Sequence, residues 1–557
     1  GSSVGKQFVK WARPVTVLAH WGNRYMSRAD EQAFILEKGQ ETGQKASMQQ
    51  VSFKVRRVLA VTLLLLLALG VIGGLLVVLP TSVRNTSVDR NFLQLSTLDK
   101  ASKSPFTVIV DCGSTGSRLY VYLVSETPPS CKAAAASKTN IKASPSGKSK
   151  LWDVTHYCDC PADKCEPDAS ALSSFQNDPR GAGAMIGDLV KNAQDYVPDT
   201  YADATPLFVY ATAGMRLLPT AATRQIWNSV RSKLLSGNYA EPKTPYKFKP
   251  LQAKDLAGNY EGVYQFMTVQ NILNGNDIAV DESLPDTKGT SVEGILEMGG
   301  ASLQVSFRPE TALNDDAAEF YVDSIKTTIF SISYLGFGSN AAFDRSCEVL
   351  VKENPGEDKV DHPCLYKGSE IKDKEVGDVK ATFVGTGDPD ACKALVRGLL
   401  HLEYECIQKP CSIMGQYQPG PDTKYGKFIG ISGFFYAVYN LGLVEWGGAK
   451  TIQPSRIASQ TKDNCQVPWE ELPLSDEYGD AFKSTGEDLY KQSCFKGMLV
   501  SELLSAFRFR EDDMSVIYTN KLSNPPLGGG KGQSLTWTRG ATLFQTVYMA
   551  EPPGPIQ

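Results

Sequence analysis

The sequence predicts an α/β fold carried behind one N-terminal transmembrane helix, and three observations support this. After residue 104, short apolar runs such as 207–210 alternate with stretches of helical period such as 226–235 and 264–273, the pattern of strands interleaved with helices. Residues 58–79 form an apolar run of 22 whose only polar side chain is Thr62, long enough to cross a ~30 Å hydrocarbon core. Two strand-turn-strand stretches, near residues 110 and 300, share one order of residue types.

The apolar run comes first. It lies too far from the N-terminus for a cleaved signal peptide and is apolar on every face, so it reads as an uncleaved anchor. Lys54, Arg56 and Arg57 abut it, whereas only Arg84 lies near its other end. The tail, residues 1–57, is therefore expected in the cytosol, and the body in the lumen of the Golgi or endomembrane system or outside the cell, as a single-pass type II protein. The tail holds ten Lys and Arg against four Asp and Glu, so the net charge of −4 leaves about −10 on the remainder. An acidic body argues against a nucleic-acid partner. All twelve cysteines lie beyond the anchor, as an oxidising compartment permits. Asn85-Thr86-Ser87 is a glycosylation triplet on that side. Residues 80–103 read as a polar stalk and 125–150, rich in Ala, Ser, Pro and Lys, as an exposed insertion.

The first strand-turn-strand stretch is V-I-V-D-C-G-S-T-G-S-R-L-Y-V-Y-L-V from Val108. Its flanks are β-branched, aromatic or aliphatic, and Gly113 and Gly116 permit the φ > 0 of a tight turn. Two readings remain open on these residues alone: a structural hairpin, or a cradle of N–H groups and hydroxyls for phosphate beside a metal-ordering acid, Asp111. The second stretch, L-E-M-G-G-A-S-L-Q-V-S-F from Leu296, repeats the order of apolar run, acid, small residues, hydroxyl and apolar run. Two such hairpins facing each other would hold the ends of a polyphosphate, their acids ordering water around a shared divalent ion.

Between them lie Y-A-T-A-G-M-R-L-L from Tyr210 and G-N-Y-E-G-V-Y-Q-F-M-T-V-Q-N from Gly258, and later I-S-G-F-F-Y from Ile431. In this order the motifs resemble the apyrase, or nucleoside triphosphate diphosphohydrolase, family, with its five regions matched at 111–122, 211–218, 261–271, 296–307 and 431–436. The similarity also takes in S-Y-L-G-F-G from Ser333 and C-Q-V-P-W from Cys465, and covers nearly all of residues 105–545. The resemblance implies two actin-like lobes of RNase H type with the substrate between them: 104–257 plus 514–550 as lobe I, and 258–513 as lobe II.

The activity it implies is removal of the terminal phosphate from nucleoside tri- or diphosphates with Ca²⁺ or Mg²⁺, by direct attack of water. Glu261 is the implied base. A carboxylate at the start of an apolar helix can be held rigidly, although an isolated Glu there could equally complement the helix dipole. By resemblance, Thr212 and the Ala213 backbone lie near the attacking water, with Ser302 and Gln304 orienting it. Asp111 and Glu297 would hold the cation through water. Gly113, Ser114, Thr115, Gly116 and Ser117 would bind one phosphate, and Gly299, Gly300 and Ala301 another. Phe435 and Tyr436 would stack on the nucleobase. The family usually has Asp where Glu297 stands, and the extra methylene adds about 1.5 Å of reach. That departure motivates a rival reading, a catalytically weak nucleotide-binding or scaffold relative in which restoring Asp would raise turnover.

Gly147-Lys148-Ser149 ends like a P-loop but has Lys142 where a glycine is required. His156, Cys158, Cys160 and Cys165 could bind zinc, though disulfides suit the compartment better. Cys406–Cys411 and Cys465–Cys494 are pairs implied by the resemblance, Cys347–Cys392 is a weaker pairing, and Cys112 is expected unpaired.

Overall fold

The computed structural model describes residues 104–129, 149–157, 169–236, 244–276, 292–309, 318–322, 325–420, 426–474, 481, 485–522 and 533–548, all within one compact unit, Lys100–Gln557. The expected tail, anchor, stalk and glycosylation triplet, and Cys131, Cys158, Cys160 and Cys165, lie outside the described residues. Among the described residues no helix is long and apolar enough to cross a membrane.

Two mixed sheets organise the body. The first contains β1 (Phe106–Cys112), β2 (Ser117–Ser125), β3 (Lys150–Asp153), β4 (Leu207–Ala211) and β5 (Ala253–Asp255), in the order β3-β2-β1-β4-β5. β1, β2 and β3 form an antiparallel meander, and β4 and β5 extend it in parallel on the other side of β1. β1 and β4 are apolar on both faces and almost wholly buried, as a sheet covered on both sides requires.

The second sheet contains β6 (Val292–Met298), β7 (Ser302–Phe307), β8 (Ala318–Val322), β9 (Ile325–Leu335), β13 (Lys427–Ser432), β14 (Ala449–Thr451) and β15 (Val516–Thr519), in the order β14-β15-β13-β6-β7-β9-β8. β10 (Lys359–His362), β11 (Glu370–Val376) and β12 (Val379–Gly385) make a separate small sheet. Within the large sheet, β9-β7-β6-β13-β15 repeats the first sheet's sequence of antiparallel meander followed by two parallel neighbours. The echo between the two hairpins is thus an echo of topology. Val516–Thr519 falls in the stretch expected to return to lobe I, but it hydrogen-bonds to β13 of the second sheet. Among the described residues, it is the helix beginning at Trp537 that then packs against the first sheet.

The helices used below are α1 (Pro179–Asn192), α2 (Ala213–Arg216), α3 (Thr220–Ser236), α4 (Gly258–Leu273), α5 (Ser339–Glu353), α6 (Pro389–Leu400), α7 (Gly433–Asn440), α8 (Ser493–Ala506) and α9 (Trp537–Thr542). One core lies between the first sheet and α1 and α3, and another between the second sheet and α5 to α8. A third, around α4 and α9, joins residues of both sheets. α4 is buried along nearly its whole length, so it needs no polar face. Within it Thr268 Oγ1 donates to the Thr536 carbonyl at 2.7 Å and accepts from the Gly540 amide at 3.0 Å, whereas the buried Gln265 amide has no partner among the described residues.

Three disulfides occur among the described residues: Cys364–Cys392, Cys406–Cys411 and Cys465–Cys494. Two match the resemblance. Cys392 at the start of α6 pairs with Cys364, just after β10, rather than with Cys347; Cys347 and Cys112 are buried free thiols.

Candidate active site

The two hairpins are built to one plan. In each, the acid faces a residue seven positions further on: Asp111 opposite Arg118, and Glu297 opposite Gln304. In each, the first turn glycine closes the turn, the Gly113 amide donating to Gly116 and the Gly299 amide to Ser302, both at 2.9 Å. These two amides are therefore engaged within the turns rather than offered to phosphate. Among the described residues, the amides of Ser114, Thr115, Gly116, Gly300 and Ala301 have no protein acceptor. Ser117 directs its amide to Ala169 and its hydroxyl to Ser170, so it braces the first turn instead of facing a ligand.

Gly113 and Gly116 do not adopt the positive φ expected of them. Space is what the turn glycines provide. A Cβ on Gly116 would lie 3.2 Å from the Ala169 carbonyl, and one on Gly300 would lie 2.7 Å from Ser114 Oγ. The second distance also shows that the turns of the two sheets meet. The Gly299 and Gly300 carbonyls accept from the first amides of α5, those of Ser339, Asn340 and Ala341, at 2.9–3.0 Å. Gly338 permits this approach: a Cβ there would lie 2.4 Å from the Ala301 nitrogen.

Glu261, in the first turn of α4, is buried beside both hairpins. Gly262 lets the helix close on the second sheet, since a Cβ there would lie 2.3 Å from Ser306 Oγ. Arg216 Nη2 donates to Glu261 Oε2 at 2.7 Å and to Ser302 Oγ at 3.2 Å. Gln304 Nε2 donates to the same Glu261 oxygen at 3.2 Å, to Ser302 Oγ at 2.6 Å and to Ser333 Oγ at 3.1 Å. Ser302 Oγ accepts twice, so its remaining capacity is to donate. Gln304 Oε1 is buried and without a partner.

Electrostatics follow from this crowding. Burial, then the Glu261 charge, push Asp111 up to about 7, with Arg118 opposing. Burial, Glu261 and Asp111 together hold Glu297 well above the usual carboxylate range. Burial raises Glu261 too, but the Arg216 guanidinium pulls it back. Removing one partner of such a buried pair typically costs about 3–5 kcal/mol.

Thr212 and Ala213 are buried at the head of α2, with the Thr212 amide donating to the Cys112 carbonyl at 3.1 Å. A Cβ on Gly214 would lie 2.9 Å from Ser114 Cα, so this motif lies against the first turn. The aromatic pair divides. Phe435 is fully buried, packed against Tyr439 and Trp446, and has no face left for a base. Tyr436 is 45% exposed and stacks on Trp446, itself 58% exposed, with centroids 6.0 Å apart.

The profile of the GDA1/CD39 (nucleoside phosphatase) family matches residues 97–550. The chain belongs to this family. Among relatives, the chain is 27% identical over 425 residues to the Golgi apyrase of Saccharomyces cerevisiae, covering 72% of this chain and 63% of that protein. It is 25% identical to ectonucleoside triphosphate diphosphohydrolase 3 of Mus musculus, over 67% of this chain and 72% of the relative. With probable apyrase 5 of Arabidopsis thaliana the identity is 25%, over 87% and 90%. A solved nucleoside triphosphate hydrolase from Neospora caninum is 15% identical at a TM-score of 0.48, covering 82% of this chain and 95% of its own. For a GDA1/CD39 member, the two acid-bearing hairpins and the glutamate between them form the place to look for phosphatase chemistry. Three contributors escaped sequence reading. Arg216 was visible in its motif without a role, Ser333 stood in a stretch noted only for similarity, and Trp446 carried no local signal.

Proposed function

We propose that this chain releases the terminal phosphate of nucleoside tri- and/or diphosphates by direct attack of a water on phosphorus, with Glu261 as base. The observation that carries this reading is the bonding of the Glu261 cluster. Both donors meet Oε2, which leaves Oε1 to take a proton. Ser302 has a hydroxyl proton to give to the water oxygen, and Gln304 Oε1 is an acceptor for the water's second proton. As the water oxygen bonds to phosphorus, the bond to the bridging oxygen breaks, its electron pair leaves with the shortened nucleotide, and the proton passes to Glu261. The free amides of Ser114, Thr115, Gly116, Gly300 and Ala301 would receive the charge on the phosphoryl oxygens.

A divalent cation, Ca²⁺ or Mg²⁺, fits the acids present. Asp111 Oδ1 and Glu297 Oε2 are buried acceptors with no partner, and the mutual repulsion of the carboxylates is what a cation would relieve. Such an ion supplies charge neutralisation and orientation of the phosphates.

In this reading the two repeated sheets are the centres of two actin-like lobes, the second extending through β15. The disulfides, the resemblance to Golgi and ecto-type relatives, and the apolar run at 58–79 support a lumenal or extracellular body on a type II anchor. Tyr436, backed by Trp446, is the stacking surface for a base. Glu261→Gln should reduce phosphate release by at least about 10³-fold while the circular dichroism spectrum is unchanged, assayed across nucleotides with Ca²⁺, Mg²⁺ and chelator. Retained release would end the assignment of Glu261.

A further inference from the structure

We infer that Arg216 is the positioning residue of this site: it fixes the carboxylate of Glu261 and the hydroxyl of Ser302 relative to each other, and does not bind phosphate. An arginine in a phosphate-handling motif ordinarily invites the opposite assignment, because its fork matches phosphate oxygens. Here both Nη atoms are already engaged, and Nε is buried with no acceptor among the described residues, out of reach of a phosphate in the cleft. Nη2 is divided between Glu261 Oε2 at 2.7 Å and Ser302 Oγ at 3.2 Å, and Nη1 donates to the Leu256 carbonyl at 3.3 Å. The guanidinium is mostly buried, its side chain 16% exposed. α4 makes room for it, because a Cβ on Gly258 would lie 2.4 Å from Nη1.

The contacts also span the chain in a way that matters. Arg216 ends α2, just after a strand of the first sheet, whereas Ser302 opens a strand of the second. One planar group thereby ties the base, a hydroxyl of the second hairpin and the backbone leading into α4. Gln304 duplicates the contacts to Glu261 and Ser302 from within the second sheet, so among the described residues Arg216 alone carries that register across to the first. Losing it should let the base and hydroxyl drift by roughly 1 Å without altering the amides that meet phosphate.

The inference rests on Glu261 being the base, and the test separates the two. Arg216→Gln should lower kcat on the order of 10²-fold, the cost of a ~1 Å misplacement, with KM for nucleotide changed less than about 3-fold. If the loss falls instead mainly on KM, Arg216 is a phosphate ligand and the inference is overturned. In a Glu261→Gln background, the same replacement should alter the residual rate by less than about 3-fold; a further loss on the order of 10²-fold would show that Arg216 acts independently of the base, again overturning it. Should Glu261→Gln itself retain full activity, it is the base assignment that fails. Thermal melts accompany each variant, and if Arg216→Gln does not fold, Arg216→Lys is read by the same split between kcat and KM.

Discussion

The two hairpins share topology, register and turn closure, yet they differ at the positions that face each other across the ladder. Opposite Asp111 stands a cation, Arg118; opposite Glu297 stands an amide, Gln304. The residue closing the turn is Gly116 in the first and Ser302 in the second. The first turn is braced by the backbone near Ala169, whereas the second hangs from the amino end of α5. In the proposed reading this difference is a division of labour: the first hairpin sets a cation opposite its acid, while the second carries the Ser302 hydroxyl and the Gln304 amide that would bond the water.

The largest expected effect tests whether the copies are equally necessary. Asp111→Asn and Glu297→Gln should each reduce metal-dependent phosphate release by about 10²–10³-fold, the range for removing one preorganised charge-stabilising group. A variant keeping more than a tenth of the activity would show that one acid holds the cation alone.

A smaller effect should separate the two braces. Gly338→Ala drives a Cβ against the backbone of Gly300, Ala301 and Ser302 at 2.4–2.5 Å, whereas Gly113→Ala meets only the Gly116 carbonyl at 3.2 Å. The first should cost about 1–3 kcal/mol in denaturant melts and roughly tenfold in rate; the second should stay within about 3-fold. Equal losses would remove the distinction between the braces.

The smallest effect is on stability against pH without metal. Asp111 is raised to about 7 and Glu297 well above the usual carboxylate range, so the folded protein binds protons that the unfolded chain releases. Stability from these groups is fully present below the unfolded carboxylate range and is lost as pH rises through their folded values. The melting temperature in chelator should therefore fall as pH is raised from about 4 through 7. Asp111→Asn should remove the part ending near 7, and Glu297→Gln the part contributed by the second raised acid, each flattening the profile. If neither variant flattens the profile, the two buried acids are not the groups that hold these protons.

Local chemistry made much of this legible. The strands flanking each turn, the helix carrying Glu261 and the alternation of strands with helices all follow from short-range pattern. What was hidden depends on partners distant in sequence. Gly113 looked like a φ > 0 residue because turns favour one; its actual constraint is a carbonyl in its own turn, and that of Gly116 is a carbonyl at Ala169. Phe435 and Tyr436 are adjacent and chemically alike, and only the rotation of α7 buries one and exposes the other. Cys392 found Cys364 because α6 begins where β10 ends, a proximity that spacing does not encode. The role of Arg216 needed the positions of three acceptors from separate segments.

Tyr122 and Thr538 bond through their hydroxyls at 2.8 Å across 416 residues of sequence, and the Gly540 position leaves no room for a Cβ against the Tyr264 carbonyl, at 1.9 Å. The first sheet thus waits for α9, made some 416 residues after Tyr122, before that flank is covered. Closing so long a loop carries an entropic cost that local contacts do not share, and apolar surface left open meanwhile invites chaperones or aggregation. Maturation of this chain should therefore be governed by the arrival of α9: a ribosome stalled before Trp537 would display the hairpins, Glu261 and the disulfide-forming cysteines, yet hold them on a body not yet closed.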